Sequence, residues 1–353
     1  MNSNTMKQKL LLLVTVLLFV ACDPVPPAPD PEPTDSGRKA LVLCEGGWGN
    51  NDASLAYLNL DSGTATLDWF ALKNGRGLGD VAQDLIVYGS KAYVTVTFSN
   101  SLEVIDTATG ISVRHDMGNL RPRYITAYDG RLYISCYGGR QVIAYDTADL
   151  DHQVAAYHLG NYQPEGLAVA AGCLFVASSW ISGQNQNYEY DNCVYMFDLA
   201  TNSQVSRIEV GLNPQQVVAL DDGHVAVSYS GDYGATAAGC AVIDAVTRIV
   251  DHLGRPATGM TVYGGFLHAF SRQGYGASST ASYWCFYGQG FSEFPISLGN
   301  PYGISVDAIT GNLLVCSDGN YNSAGDVVCF KPDGTRLWKC EAGMLPRKVV
   351  ALQ

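Results

Sequence analysis

The stretch PRYITAYDGRLYISCYGGRQVIAYD, residues 122–146, decides the fold. A proline opens it, an apolar run follows as far as a glycine turn, and two further apolar runs come after that turn. Short runs rich in Ile, Val and Tyr, bounded by Gly and Asp, are typical of β-strands. The aspartate that ends the last run, Asp146, can accept hydrogen bonds from the turn that follows it. The stretch therefore predicts three consecutive strands.

The same arrangement recurs along the chain. A glycine followed two to four residues later by a proline marks each copy, and these prolines are Pro122, Pro164, Pro214, Pro256, Pro301 and Pro346. Their spacings are 42, 50, 42, 45 and 45 residues. Four short strands repeated at such a period are typical of β-propeller blades. The alternative is an irregular β-sandwich, whose strands do not recur at one period.

The residues left over decide the number of blades. Six repeats run from near Val81 to Gly343. One strand is predicted at 348–352, and three are predicted at 41–44, 55–58 and 67–72. Together these four strands complete a seventh blade and leave no open sheet edge. The prediction is an all-β protein with one domain, a seven-bladed β-propeller over residues 40–353, closed by strands from both ends of the chain.

The first 39 residues are predicted to form a secretion signal and a tether. Lys7 and Lys9 precede an apolar run that ends at Cys22, and the run is too short for a span of about 20 residues. This pattern predicts a secretion signal over residues 1–21. Phe19 to Cys22 resemble the lipobox of bacterial lipoproteins, which implies lipidation of Cys22; an uncleaved anchor is the alternative. Six prolines predict an extended tether over residues 22–39.

Composition excludes several partners. The formal net charge of −12, from 33 acidic and 21 basic residues, argues against nucleic acid and against anionic lipid. Contact with a membrane is therefore expected through the lipid anchor only. The histidines show no metal-ligand spacing such as H-E-x-x-H, and no G-x-S-x-G elbow is present. We expect a binding protein rather than an enzyme, with no metal and no cofactor. Nine cysteines besides Cys22 are expected as packed thiols.

One face of the predicted propeller is the expected binding face. It carries the loops between second and third strands, which are long and aromatic, whereas the turns on the opposite face are short. The residues after the six prolines are predicted to face a central funnel there; they are Arg123, Glu165, Gln215, Ala257, Tyr302 and Arg347. Amide and aromatic side chains suit a large, uncharged ligand. The candidate ligand-binding residues are Trp48, Asn51, Arg123, Tyr137, Glu165, Trp180, Tyr188, Tyr190, Tyr233, Tyr275, Tyr302, Asp318, Tyr321 and Arg347.

Several stretches carry a resemblance to a known family. They are EGGWGNNDASL at 45–55, NGRGLGDV at 74–81, PEG at 164–166, PYGI at 301–304 and GDV at 325–327. In these, the chain resembles the YncE-type propeller lipoproteins of Gram-negative gut bacteria, and in particular the BtuG group of surface vitamin B12-binding proteins. The resemblance implies an outer-membrane lipoprotein at the cell surface. It would bind cobalamin as a ligand, not a cofactor, and pass it to a TonB-dependent transporter of the BtuB type.

Two other functions stay open. A propeller that binds glycan or another extracellular ligand would use the same aromatic loops. A propeller lactonase or lyase would need converging acid or base groups in the funnel, for which Glu165 with Arg123 and Arg347 are the candidates.

Overall fold

A computed structural model describes residues 36–182, 188–221, 223–273, 280–287, 290–293 and 299–352. The unit Gly37–Gln353 contains all of the β-structure described here. Its described residues form seven four-stranded antiparallel sheets and a two-stranded one, and the seven larger sheets are the blades of a seven-bladed β-propeller. Cys22, the predicted signal and most of the predicted tether lie outside the described residues.

The chain begins with three strands of blade 7 and a helix, namely β1 (Lys39–Cys44), β2 (Ser54–Asn59), β3 (Thr64–Thr66) and α1 (Trp69–Asn74). Blade 1 contains β4 (Ala82–Tyr88), β5 (Lys91–Val96), β6 (Ser101–Asp106) and β7 (Ser112–Asp116). Blade 2 contains β8 (Pro122–Tyr128), β9 (Arg131–Cys136), β10 (Gln141–Asp146) and β11 (Asp149–His158). Blade 3 contains β12 (Pro164–Ala170), β13 (Cys173–Ser178), β16 (Cys193–Asp198) and β17 (Ser203–Glu209). Between β13 and β16 lies a two-stranded hairpin of β14 (Trp180–Ser182) and β15 (Tyr188–Tyr190).

Blade 4 contains β18 (Pro214–Ala219), β19 (His224–Tyr229), β20 (Gly239–Asp244) and β21 (Val250–His252). Blade 5 contains β22 (Gly259–Tyr263), β23 (Phe266–Gln273), β24 (Thr280–Tyr287) and β25 (Gly290–Glu293). Blade 6 contains β26 (Pro301–Val306), β27 (Leu313–Ser317), β28 (Ala324–Phe330) and β29 (Arg336–Met344), with a short 3₁₀ turn at Gly319–Tyr321. The last strand, β30 (Pro346–Ala351), returns to blade 7.

The two ends of the chain close the ring as predicted. Blade 7 has the strand order β3-β2-β1-β30, and β1 pairs with β30 through Leu41 opposite Val350 and Val42 opposite Val349. Along β1, buried Leu41 and Leu43 alternate with residues that face the other neighbouring blade. Each side of the sheet therefore has an apolar surface. Closure therefore leaves both faces of blade 7 packed.

One predicted strand is wrong. Residues 67–72 were expected to form the outer strand of blade 7, but that strand is Thr64–Thr66, and Trp69–Asn74 is helix α1. Trp69 and Phe70 are both buried although they are neighbours in sequence, which a half-buried strand does not allow because its side chains alternate. Trp69 stacks on Tyr57 with ring centroids 5.3 Å apart. The helix thus covers the seam between blades 7 and 1.

The inner strands fix which loops share a face. Each second strand ends beside the start of its inner strand, as the pairs Cys44 with Pro346, Cys136 with Pro122 and Ser178 with Pro164 show. The loops that follow these ends lie on one side of the disc, which we call the loop face. Its described loops include 45–53, 97–100, 137–140, 230–238 and 318–323, with the β14–β15 hairpin.

The predicted packing of the cysteines is confirmed for the described part of the chain. Nine cysteines there are free thiols, eight of them buried, and Cys340 is half-buried. Burial raises the pKa of the Cys44 thiol to about 12, so that this side chain packs as a small apolar group. Within the described residues, no helix has the length and apolar character needed to cross a membrane.

Candidate functional site

Seven inner strands surround a central cavity of about 460 Å³. Among the residues that line it are the third residues of six inner strands, which are Asp84, Tyr124, Gly166, Gln216, Gly303 and Lys348. Of the six residues predicted to face the funnel, Tyr302 and Arg347 line this cavity. Glu165 is 2% exposed and directed at neighbouring side chains. Gln215 donates to Ser179 and Asn213, and Ala257 precedes β22.

The third-position side chains connect neighbouring blades. Lys348 Nζ lies 2.7 Å from Asp84 Oδ1, and Asp84 Oδ2 accepts the backbone N–H of Ile125 at 3.1 Å. Gln216 Oε1 accepts the backbone N–H of Met260 at 3.0 Å. The last two bonds give partners to backbone N–H groups of the inner strands β8 and β22.

A first network of polar side chains lies where blades 1, 2 and 3 meet at the loop face. Arg123 Nη2 donates to Glu165 Oε2 at 3.1 Å, and Arg123 Nη1 donates to Gln83 Oε1. The hydroxyl of Tyr137 donates to Glu165 Oε1. The guanidinium of Arg123 also lies 4.7 Å from the centroid of the Tyr137 ring, which adds a cation–π contact. Arg123, Tyr137 and Glu165 thus form one unit.

A second network lies across the cavity, at blades 6 and 7. Arg347 Nη1 and the hydroxyl of Tyr302 both donate to Glu45 Oε2 at 2.6 Å. Arg347 Nη2 donates to the hydroxyl oxygen of Tyr124 at 3.4 Å. Since the ring of Tyr124 also contacts Arg123, with 5.7 Å from guanidinium to centroid, Tyr124 joins the two networks.

A third ion pair extends the second network outward. Arg272 Nη1 lies 2.8 Å from Asp318 Oδ2, and both side chains are buried. The guanidinium of Arg272 lies 5.7 Å from the centroid of Tyr321, and Tyr321 meets Tyr302 edge to face at 5.9 Å. Asp318, Tyr321, Tyr302 and Arg347 are therefore connected.

Aromatic side chains form a row along the loop face of blades 2, 3 and 4. Its members are Tyr137, Trp180, Tyr188, Tyr190 and Tyr233, with successive ring centroids 5.7, 5.2, 6.5 and 6.3 Å apart. We call this set the aromatic row. Tyr188 is 58% exposed and Tyr233 is 68% exposed, so the row offers flat apolar surface to a ligand.

The remaining predicted residues lie elsewhere. Trp48 and Asn51 are exposed on the 45–53 loop, where the Trp48 ring lies 6.1 Å from Phe98. Among the contacts of the described residues, these two reach neither network, although Glu45 at the base of their loop belongs to the second. Tyr275 lies outside the described residues.

The pKa shifts of the arginines and tyrosines in these networks keep their side chains protonated, so that they act as hydrogen-bond donors. Burial lowers the pKa of Arg123, but the Glu165 carboxylate together with Tyr137 and Tyr124 outweighs burial, and the pKa is raised overall. Arg347 follows the same rule, with Glu45 as the carboxylate that raises its pKa. Burial raises the pKa of Tyr302, and the nearby Glu45 raises it further. Burial likewise raises the pKa of Tyr137, and Glu165 adds to that increase. The arginines are therefore charged and the tyrosines protonated at neutral pH.

Charge is balanced across this face. Arg123, Arg347 and Arg272 each pair with one carboxylate, from Glu165, Glu45 and Asp318. Besides the amide and aromatic side chains expected from the sequence, this face therefore contains buried ion pairs. In the part of the chain that the structure describes, no three His, Cys, Asp or Glu side chains are grouped so as to hold a metal ion.

The sequence analysis did not identify several residues of the site. Tyr124 and Gln216 lie one position beyond the residues chosen after each proline, so the same repeat would have found them if read one residue further. Glu45 and Arg347 are separated by 302 positions, and nothing in the sequence pairs them. Arg272 lies near the end of β23, and nothing in the sequence pairs it with Asp318.

The fold recurs in known structures. No family model matches the chain, and no curated protein sequence matches it. A quinonprotein alcohol dehydrogenase-like protein from Bacteroides thetaiotaomicron superposes with a TM-score of 0.63 at 15% identity, over 90% of this chain and 78% of that one. A putative 6-phosphogluconolactonase from Bacteroides fragilis gives 0.59 at 12% identity, over 92% and 100%. A streptogramin B lyase gives 0.55 at 12% identity, over 72% and 81%. These likenesses define the class as a seven-bladed β-propeller.

Proposed function

We propose that this protein is a surface lipoprotein that captures a large, uncharged, hydrogen-bonding ligand on its loop face, and that the ligand is a corrinoid. The aromatic row carries the proposal, because it places exposed rings beside the unit formed by Arg123, Tyr137 and Glu165. Flat rings and fixed donors suit a broad ligand with carbonyl groups on its edge.

The ion pairs support an uncharged ligand. Each buried arginine of the loop face already has a carboxylate partner. An anionic ligand would have to compete with that carboxylate, whereas a neutral ligand leaves the pairs intact and uses their remaining donors. The pairs also hold the arginine side chains in place before the ligand arrives, which lowers the entropy lost on binding.

The sequence resemblance supports a corrinoid in particular. The stretches that resemble the vitamin B12-binding group include Glu45, Glu165 and Tyr302, and these residues belong to the two networks of the loop face. A corrinoid is a broad macrocycle with amide arms, so it can lie across the aromatic row while its arms meet the donors. The anchor at Cys22 would keep the protein at the outer membrane, where it would pass the ligand to a TonB-dependent transporter of the BtuB type.

The test is isothermal titration calorimetry with cyanocobalamin and a panel of neutral oligosaccharides. We expect heat with cyanocobalamin, and a Kd raised about fivefold or more by Tyr188→Ala, since stacking on an aromatic side chain is worth roughly 1–3 kcal/mol. Phe266→Ala is the matched control, because Phe266 begins β23 at the opposite face and is 38% exposed. Heat with a sugar and none with cyanocobalamin would replace the corrinoid by a glycan.

A lactonase or lyase is the second candidate. Its support is the position of Glu165 between Arg123 and Tyr137, together with a fold shared with a putative 6-phosphogluconolactonase and a streptogramin B lyase. Turnover of a lactone that disappears in Glu165→Gln, while circular dichroism shows that the variant is still folded, would establish this function instead.

A further inference from the structure

The hairpin β14–β15 carries three of the five members of the aromatic row, but it is too short to hold them by itself. Its described strands share three residue pairs, from Trp180 opposite Tyr190 to Ser182 opposite Tyr188. A two-stranded hairpin on its own is at best marginally stable in water, and Tyr188 is 58% exposed. The orientation of the hairpin therefore depends on what holds its base.

The side chain of Asp191, the residue directly after β15, makes three connections at this base. The hydroxyl of Ser178 donates to Asp191 Oδ2 at 2.6 Å, and the backbone N–H of Asn192 donates to Oδ1 at 2.9 Å. Arg207 Nη2 also donates to Oδ1. Ser178 ends β13, and Arg207 lies on β17. One carboxylate thus joins the end of β15 to the second and the outer strand of blade 3.

The backbone of Asp191 extends this connection across the hairpin and toward blade 4. Its N–H donates to the carbonyl oxygen of Ser179 at 2.7 Å, and its carbonyl oxygen accepts the N–H of Asn213 at 2.7 Å. The Ser179 hydroxyl in turn donates to Asn213 Oδ1 at 2.6 Å. Asp191, Ser179 and Asn213 are each at most 3% exposed. A buried hydrogen-bond network therefore fixes the residues on both sides of the hairpin.

Burial separates the role of Asp191 from that of the rings. Its side chain is 2% exposed, so it does not reach a ligand on the loop face, whereas Trp180 and Tyr188 lie on the hairpin that it holds. We propose that Asp191 is the positioning residue of the aromatic row and holds β14–β15 in the orientation that presents these rings before a ligand arrives. A site formed in advance loses less entropy on binding. This inference deepens the proposed function and rests on it.

Hydrogen–deuterium exchange without ligand tests the positioning by itself. We expect faster exchange in peptides that contain β15 in Asp191→Ala than in the wild type, because its anchor is lost. Arg207 is 45% exposed and can be hydrated when the carboxylate is removed, so the variant should fold. If it does not fold, Ser178→Ala takes its place and should give a smaller increase in the same peptides.

Asp198→Ala is the matched control for the exchange experiment. Asp198 ends β16 at the opposite face, where it accepts from the backbone N–H and the hydroxyl of Thr201 at 2.8 and 2.9 Å. Its removal should leave exchange in β15 unchanged. Exchange in β15 that is equally slow in the wild type, Asp191→Ala and Ser178→Ala would overturn the inference.

Calorimetry with cyanocobalamin connects the positioning to the ligand. We expect Asp191→Ala to raise Kd about fivefold or more, as Tyr188→Ala does, and Asp191→Asn, which keeps an acceptor for Asn192, to restore most of the affinity. Because Asp191 acts through the rings, it should raise Kd less in a Tyr188→Ala background than in the wild type.

Wild-type affinity of Asp191→Ala, or an equal effect in both backgrounds, would overturn the inference while leaving the proposed function in place. If the wild type gives no heat with cyanocobalamin, the proposed ligand fails, and the exchange experiment alone decides whether Asp191 positions the hairpin.

Discussion

At the scale of single residues, Glu165 shows how one buried carboxylate fixes the positions of several neighbouring side chains. It accepts from Arg123 and Tyr137, and Tyr137 in turn is the first member of the aromatic row. Its side chain is 3% exposed and that of Arg123 is 16% exposed. A charge buried to this degree depends on its partner, because removing one member leaves the other without compensation. Glu165 therefore positions the ring and the guanidinium that would meet the ligand.

We predict that Glu165→Ala lowers the free energy of unfolding by about 3–5 kcal/mol, because Arg123 keeps its buried charge without a carboxylate. Urea denaturation followed by tryptophan fluorescence measures the change. Glu189→Ala is the control, since Glu189 lies exposed on β15 and should alter stability by less than about 0.5 kcal/mol. Equal stabilities of the two variants would show that the pair with Arg123 contributes nothing.

At the scale of elements, Glu103 joins the segment after α1 to blade 1. It lies on β6 and accepts from Arg76 at 2.8 and 2.7 Å, from Arg114 at 2.6 Å and from Ser112 at 2.6 Å. Burial raises the pKa of Glu103, but these donors outweigh burial and the pKa is lowered overall. This carboxylate therefore helps to hold the link that follows α1 and leads into blade 1.

A lowered pKa in the folded state gives a definite pH dependence. The contribution of Glu103 is fully present above the ordinary glutamate pKa of about 4.3 and is lost as the pH falls through the lower folded value. We predict that the urea concentration at the unfolding midpoint of the wild type decreases as the pH falls below about 4.3. The midpoint of Glu103→Gln should be lower than that of the wild type at pH 7 and should decrease less steeply as the pH falls. Glu341→Gln, on an exposed position of β29, is the control. Parallel curves for wild type and Glu103→Gln would refute this role.

At the scale of the whole molecule, the repeat in the sequence determined the architecture. The proline spacing predicted six blades, and the strands left at both ends predicted the seventh, which β1 and β30 form. Periodicity carries this information because every blade repeats the same strand and turn pattern. The repeat did not predict helix α1, because that segment lies outside the repeat. Its burial depends on Tyr57 and on the turn at Gly110.

The candidate site was predicted less completely than the fold. Loop length and composition located Trp180, Tyr188 and Tyr233 on one face, where the structure arranges them in the aromatic row. The partners of the arginines could not be found, because residues such as Glu45 and Arg347 come together only through closure of the ring. Ion pairs between distant segments have no period in the sequence.

Hydrogen–deuterium exchange with and without cyanocobalamin tests the central claim, that the loop face captures the ligand, most directly. Bound ligand slows exchange where it orders or covers the backbone. We predict protection in peptides that cover 137–140, 188–192 and 230–238, and unchanged exchange at the opposite turns 89–90, 171–172 and 264–265. Protection confined to those opposite turns, or no protection at saturating cyanocobalamin, would contradict the account.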